Sequence, residues 1–343
     1  MRILFTVLVV GQILFFSSCG NSSNEVADKT VAVDSTLSKL NSPELKAVNK
    51  SLLEDPNNAA LYFKRGELYF KNHDLEASKN DALRAIKLDS LKPEYFMLLS
   101  DAYFTANETR FSKEALERCL KANPGSIDAN LKLAELYFYV KKYTEAINYI
   151  NAALKINENT AKGYFLKGMC YKESGDTSLA ISSFQTCVEQ DNDYFDGYME
   201  LGILLVAKKN PLAIEYLKTA LGLQPENMDI YYNMGLFYQK TKKYDLAIET
   251  YKKILSKNLQ YKEAHYNLGA IEVEKNKNYK EALKHFSNAI NADPNYADAY
   301  FARGVCYEEL KDKTNAIADY QMAIQLQPNH PFAVENLNEL EKK

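Results

Sequence analysis

Side chains able to do chemistry are few in this sequence, and they stand apart from one another. Four histidines, His73, His265, His285 and His330, share no metal-binding spacing such as HExxH, which sets two imidazoles one helical turn apart on a single ion. After Cys19 come Cys119, Cys170, Cys187 and Cys306, with no CxxC among them, and the chain has neither a phosphate-cradling glycine loop nor a GxSxG elbow. A bond between Cys170 and Cys187 is open to an oxidising compartment. Small buried thiols are the competing reading, and the favoured one. The carboxylates are scattered rather than paired, so general acid–base work has no visible dyad. The sequence therefore reads as a non-enzyme, with no catalytic group, no cofactor and no metal.

Composition agrees with a binding role. The hydrophobic share is 46% and the charged share 25%, enough apolar material for a sizeable core. A formal net charge of −3 provides no basic field for nucleic acid, so none is expected as a partner.

The N-terminus differs in kind. Arg2 precedes an apolar run from Ile3 to Phe16, too short for the roughly 20 residues of a membrane-crossing helix and suited to an export signal over residues 1–18. Phe16-Ser17-Ser18-Cys19 resembles the bacterial lipobox, with Phe16 where Leu is usual, and implies lipidation of Cys19. Ordinary cleavage near Ser18-Cys19-Gly20 is the competing reading. Gly20 is not the Asp that holds lipoproteins at the inner membrane in some bacteria, which favours the outer membrane, on its periplasmic or surface face. Residues 19–42 read as lipidated cysteine plus polar tether, with a reach of roughly 25–30 Å.

The element that must position any site is a repeat. Units begin at Ala59, Pro93, Ile127, Ala161, Phe195, Met228, Lys262 and Ala297, spaced by 34, 34, 34, 34, 33, 34 and 35 residues, and each has the apolar pattern of two amphipathic helices. Place eight is always small (Gly66, Ser100, Ala134, Gly168, Gly202, Gly235, Gly269, Gly304), and so is place twenty, from Ser78 and Ser112 to Ala316. Glycine inside a helix costs about 1 kcal/mol, so a close crossing of the two helices at these places is expected. Place eleven is mostly Tyr; Leu205 and Glu272 break it, which marks the fifth and seventh units as less well packed. Prolines fall at helix starts or in connections. Pro56 sits where a closing proline belongs, so residues 43–58 read as an N-terminal capping helix, 59–330 as eight repeats and 331–343 as a C-terminal cap.

Place eight with Tyr238, with Tyr244-Asp245-Leu246-Ala247-Ile248, and with the closing Pro124, Pro225, Pro294 and Pro328 resembles the tetratricopeptide-repeat (TPR) family over about 270 residues. The resemblance implies an all-α fold, a right-handed superhelical solenoid of about eight helix-turn-helix units with a capping helix at each end. It further implies that first helices line a concave groove through places two, five, nine, twelve and thirteen. In the first half of that groove Phe63, Phe70, Met97, Phe104, Leu131, Phe138 and Tyr139 stand with Glu67, Asp101 and Glu135, whereas place nine turns apolar from Met169 onward. The partner expected there is a protein or peptide segment, apolar with basic residues, whose direction the carboxylates set. Place five is never Lys, which disfavours the Lys and Asn clamp some TPR domains use for a terminal carboxylate. The leading expectation is an envelope-anchored scaffold that helps assemble or localise a protein complex. The alternative is a surface lipoprotein capturing a glycan or other solute, against which stands the absence of Trp.

Overall fold

The computed structural model describes residues 42–342; the expected signal over residues 1–18, Cys19 and most of the expected tether lie outside the described residues. Those residues are all-α, in 18 helices with no strand among them. They fall into two compact halves, one ending at Asn192 and the other beginning at Asp193.

The N-terminal half holds α1 (Pro43–Glu54), α2 (Ala59–Lys71), α3 (Leu75–Leu88), α4 (Pro93–Thr105), α5 (Thr109–Ala122), α6 (Ile127–Tyr139), α7 (Tyr143–Ile156), α8 (Ala161–Glu173) and α9 (Thr177–Gln190). The C-terminal half holds α10 (Phe195–Ala207), α11 (Ala213–Leu223), α12 (Met228–Lys240), α13 (Tyr244–Lys257), α14 (Lys262–Ile271), α15 (Tyr279–Ala292), α16 (Ala297–Glu309), α17 (Lys313–Leu326) and α18 (Ala333–Lys342). First helices of all eight repeats start at place one. Side-chain caps explain several starts: Asn58, Asp74, Ser126, Asp176 and Asp312 each accept a backbone N–H of the first turn, satisfying a donor the helix cannot.

Between the two helices of each repeat one residue adopts positive φ: His73, Asn107, Lys141, Gly175, Lys209, Lys242, Lys277 and Lys311. Only Gly175 does so without a side-chain penalty. The two irregular spacings have distinct forms. In the fifth repeat the chain turns through Pro211 and Leu212, and the second helix is shortened to 11 residues. In the seventh, the extra residue is taken up by a π-turn, Glu272–Asn276, before Lys277. The break in place eleven at Glu272 thus falls where the helix is locally widened.

All eight residues at place twenty are fully buried, and so are all eight at place twenty-seven, among them Cys119 and Cys187. Place eight does face place twenty, as the 2.8 Å hydrogen bond between the Ser100 and Ser112 hydroxyls shows. Yet four of the glycines answer to a different neighbour, a ring sixteen or seventeen residues on. A β-carbon at Gly168 would lie 2.6 Å from Phe184, at Gly235 2.5 Å from Tyr251, at Gly269 2.8 Å from Phe286 and at Gly304 2.8 Å from Tyr320. The ring lies across the bare backbone. Where place eight carries a side chain, Ser100 or Ala134, the facing residue is the smaller Leu116 or Ile150. Buried tyrosines also need a partner for the hydroxyl. Tyr251 donates to Gln239 at 3.0 Å and Tyr320 to Glu308 at 2.9 Å, whereas Phe286 stands opposite Val273.

Histidine replaces the ring at place four of the seventh repeat. His265 is buried, its Nε2 is 2.9 Å from the Leu259 carbonyl oxygen, and its ring centroid lies 6.2 Å from that of His285. The Nδ1 atoms of both are buried without a hydrogen-bond partner. Burial, helped by the charge of His265 and Lys252 against Glu281 and Glu272, holds His285 below its ordinary pKa of 6.5. The unfolded chain therefore binds the proton more readily than the folded one, and the stabilisation present above pH 6.5 is lost as pH falls through the folded value. Urea midpoints at about pH 7.5 and about pH 5 should differ more for the natural chain than for His285→Leu. An equal drop in both would remove this residue from the acid response.

Candidate partner-binding groove

The site is built from the first helices α2, α4 and α6 of the N-terminal half. At places twelve and thirteen Phe104 is 40% exposed and Tyr139 68% exposed, and their rings meet edge to face with centroids 5.6 Å apart. Rings of this kind left in water are the features a partner would cover. Covering the exposed parts of both would remove on the order of 150 Å² of apolar surface, about 4 kcal/mol before ordering costs. Phe63, Phe70, Met97 and Phe138 on the same three helices are half-buried: the Phe63 ring lies tilted 5.1 Å from Tyr95, and Phe138 lies 5.7 Å from Tyr143. Leu131, grouped with these as a contact residue, is only 3% exposed. The backbone of the next repeat packs over it: a β-carbon at Gly163 would lie 3.8 Å from Leu131, an ordinary contact, and 2.8 Å from Leu154. Leu131 supports the groove rather than touching a partner.

The three carboxylates are in unequal settings. Asp101 accepts from Lys132 at 2.5 Å and Glu135 from Lys162 at 2.7 Å, each lysine coming from the first helix of the following repeat. Glu67 has no ion-pair partner among the described residues, and desolvation raises its carboxyl above the usual range. Pairs this exposed are worth at most about 1 kcal/mol, so an incoming cation can displace Lys132 or Lys162 at little cost. The two lysines escaped the sequence reading. Their signal is an offset of one repeat less a few residues, which also joins Glu226 to Lys257 at 2.6 Å and Lys262 to Asp293 at 2.5 Å.

In the C-terminal half the corresponding positions are largely spent on the interior. Leu236 and Val305 at place nine are buried, and Gln239 and Glu308 at place twelve are engaged with tyrosines. Tyr266 lies 5.3 Å from Tyr296. Burial raises the thiols of Cys170 and Cys306 to about 12. Neither is an activated nucleophile. Cys119, Cys170, Cys187 and Cys306 are all buried thiols, with no disulfide between Cys170 and Cys187. No group of three or more His, Cys, Asp or Glu able to hold a metal occurs among the described residues, and no described helix is long and apolar enough to cross a membrane.

Comparison with known proteins fixes the family. Residues 59–90, 127–160, 161–194 and 229–258 match one tetratricopeptide-repeat model and residues 266–331 another, together more than half of the chain. The chain belongs to the tetratricopeptide-repeat family. A human TPR-matching relative, Protein O-mannosyl-transferase TMTC3, is 25% identical over 296 residues, covering 82% of this chain and 32% of the relative. The DnaJ homolog subfamily C member 7 homolog of Dictyostelium discoideum is 22% identical, covering 78% of this chain and 45% of its own length. The chain spans less than half the length of either. Among solved structures, a tetratricopeptide repeat protein from Parabacteroides merdae superposes with TM-score 0.57 at 16% identity, over 73% of this chain and 99% of that one. The C-terminal part of a TPR repeat-containing protein from Cytophaga hutchinsonii gives 0.57 at 21%, over 69% and 98%. These likenesses establish the TPR fold.

Proposed function

We propose that this TPR protein is an envelope-anchored scaffold which grips a segment of another protein on the first-helix face of its N-terminal half. The observation that carries the reading is the exposed Phe104–Tyr139 pair flanked by Glu67, Asp101 and Glu135. The rings supply affinity, and the carboxylates select a segment bearing Lys or Arg and set its direction. Mediating protein–protein contact is the general role of TPR repeats, and it accords with relatives such as the Hsp70-Hsp90 organizing protein of Triticum aestivum, 26% identical over 36% of this chain.

Anchoring belongs to the same proposal and rests on the lipobox resemblance at Cys19. A chain tethered there keeps its groove within tens of ångströms of the bilayer, concentrating a captured partner at the membrane. The natural chain should sediment with membranes and incorporate labelled fatty acid, whereas Cys19→Ser should do neither. Membrane association that persists in Cys19→Ser would replace lipidation with another mode of attachment.

A further inference from the structure

The N-terminal half also carries a depression that shares no lining residue with the groove. Its volume is about 500 Å³, and it lies between the C-terminal ends of α3 and α5 and the first turn of α4. Leu83 and Ala122 wall it, and Ile86 and Phe96 form its floor. Lys87, Arg118 and Lys121 surround it, with Ser90 the remaining lining residue, so the lining holds three cations and no acid. None of the three has an ion-pair partner among the described residues. Nearby exposed cations such as Arg110 and Lys113 are each matched to a glutamate within their own helix. Lysines in a last helical turn are favoured by the helix dipole, which accounts for Lys87 and Lys121. It does not account for Arg118, one turn earlier, whose guanidinium is held 5.9 Å over the Phe96 ring and so leans across the depression.

We propose that this depression is a second docking site, for an acidic protein segment that inserts one large apolar side chain between Leu83 and Ala122 while its carboxylates meet Lys87, Arg118 and Lys121. Charge complementarity fixes the sign of the occupant. The recess favours a peptide over an anionic bilayer, because a flat headgroup layer pairs with the rim cations but leaves the depression beside the 38% exposed Leu83 unfilled. The site is chemically opposite to the first-helix groove, which selects basic segments, so one TPR half would hold two partners that do not compete.

The test uses the full chain in detergent with a fluorescent peptide of Asp and Glu flanking a single Phe. Binding should weaken roughly tenfold in Arg118→Glu and again when the peptide Phe becomes Ala, as expected for a charged rim around an apolar anchor. Lys155→Glu, the same charge change on α7 outside the depression, should leave affinity unaltered. Arg118 and Lys155 are both exposed, so the two variants should keep the circular dichroism of the natural chain. No peptide binding, an equal loss in Lys155→Glu, or indifference to the Phe→Ala change would each overturn the proposal. So would Arg118-dependent binding of phosphatidylglycerol vesicles without peptide binding, which would make the face a lipid contact.

Discussion

Tyr251→Ala is expected to destabilise the C-terminal half by about 3–5 kcal/mol, the range for emptying a fully buried aromatic site. Tyr251 is 0% exposed, donates to Gln239 and lies directly on Gly235. The reciprocal change follows from the same contact. Gly235→Ala should cost about 1–3 kcal/mol even though alanine is the better helix former, because the new methyl group would sit 2.5 Å from the ring. In a Tyr251→Leu background the ring is gone, and Gly235→Ala should become neutral or gain up to about 1 kcal/mol. Urea unfolding of the four proteins measures the cycle. An alanine penalty that is the same in both backgrounds would mean that something other than the ring demands glycine.

Asp81→Ala is expected to cost about 3 kcal/mol, the loss that follows when one member of a buried ion pair is removed and the other is left. Asp81 is 5% exposed and accepts from Nε and Nη2 of Arg65, at 2.7 and 2.8 Å, while Nη1 donates to Asn49 on α1 at 2.9 Å. The pair therefore fixes the guanidinium that ties α1 to the first repeat. Hydrogen exchange should quicken first in α1. Replacing both partners, as Arg65→Met with Asp81→Leu, should recover most of the loss in global stability. A loss below about 1 kcal/mol for Asp81→Ala would show that Arg65 finds water instead. Arg303 and Asp319 repeat the arrangement in the last repeat, at the same two distances.

The repeat register was legible because it rests on local facts: apolar period, small residues and helix breakers recur at fixed places, and every first helix starts where the count begins. What governs Gly235 or Gly168 was less legible. Small residues at places eight and twenty suggested each other, whereas the deciding neighbour is a ring at place twenty-four, seen only once both helices are in space. Leu131 shows a similar limit. Its place points to the groove, but the next repeat packs over it near Gly163 and leaves it 3% exposed. The pairing of Asp101 with Lys132 and Glu135 with Lys162 joins successive repeats, and a place-by-place reading passes over it. The basic depression escaped for the same reason, since its cations come from two different repeats.

The central claim is that the Phe104–Tyr139 face holds a protein segment. It is tested most directly by placing a photo-crosslinking residue at Phe104, at Tyr139 or, on the second helix of the fourth repeat, at Leu179, and irradiating cells. The account predicts one protein captured from Phe104 and Tyr139, not from Leu179, and lost when Glu67, Asp101 and Glu135 are all changed to Lys. Capture from all three positions alike, or capture that survives the charge reversal, would contradict it.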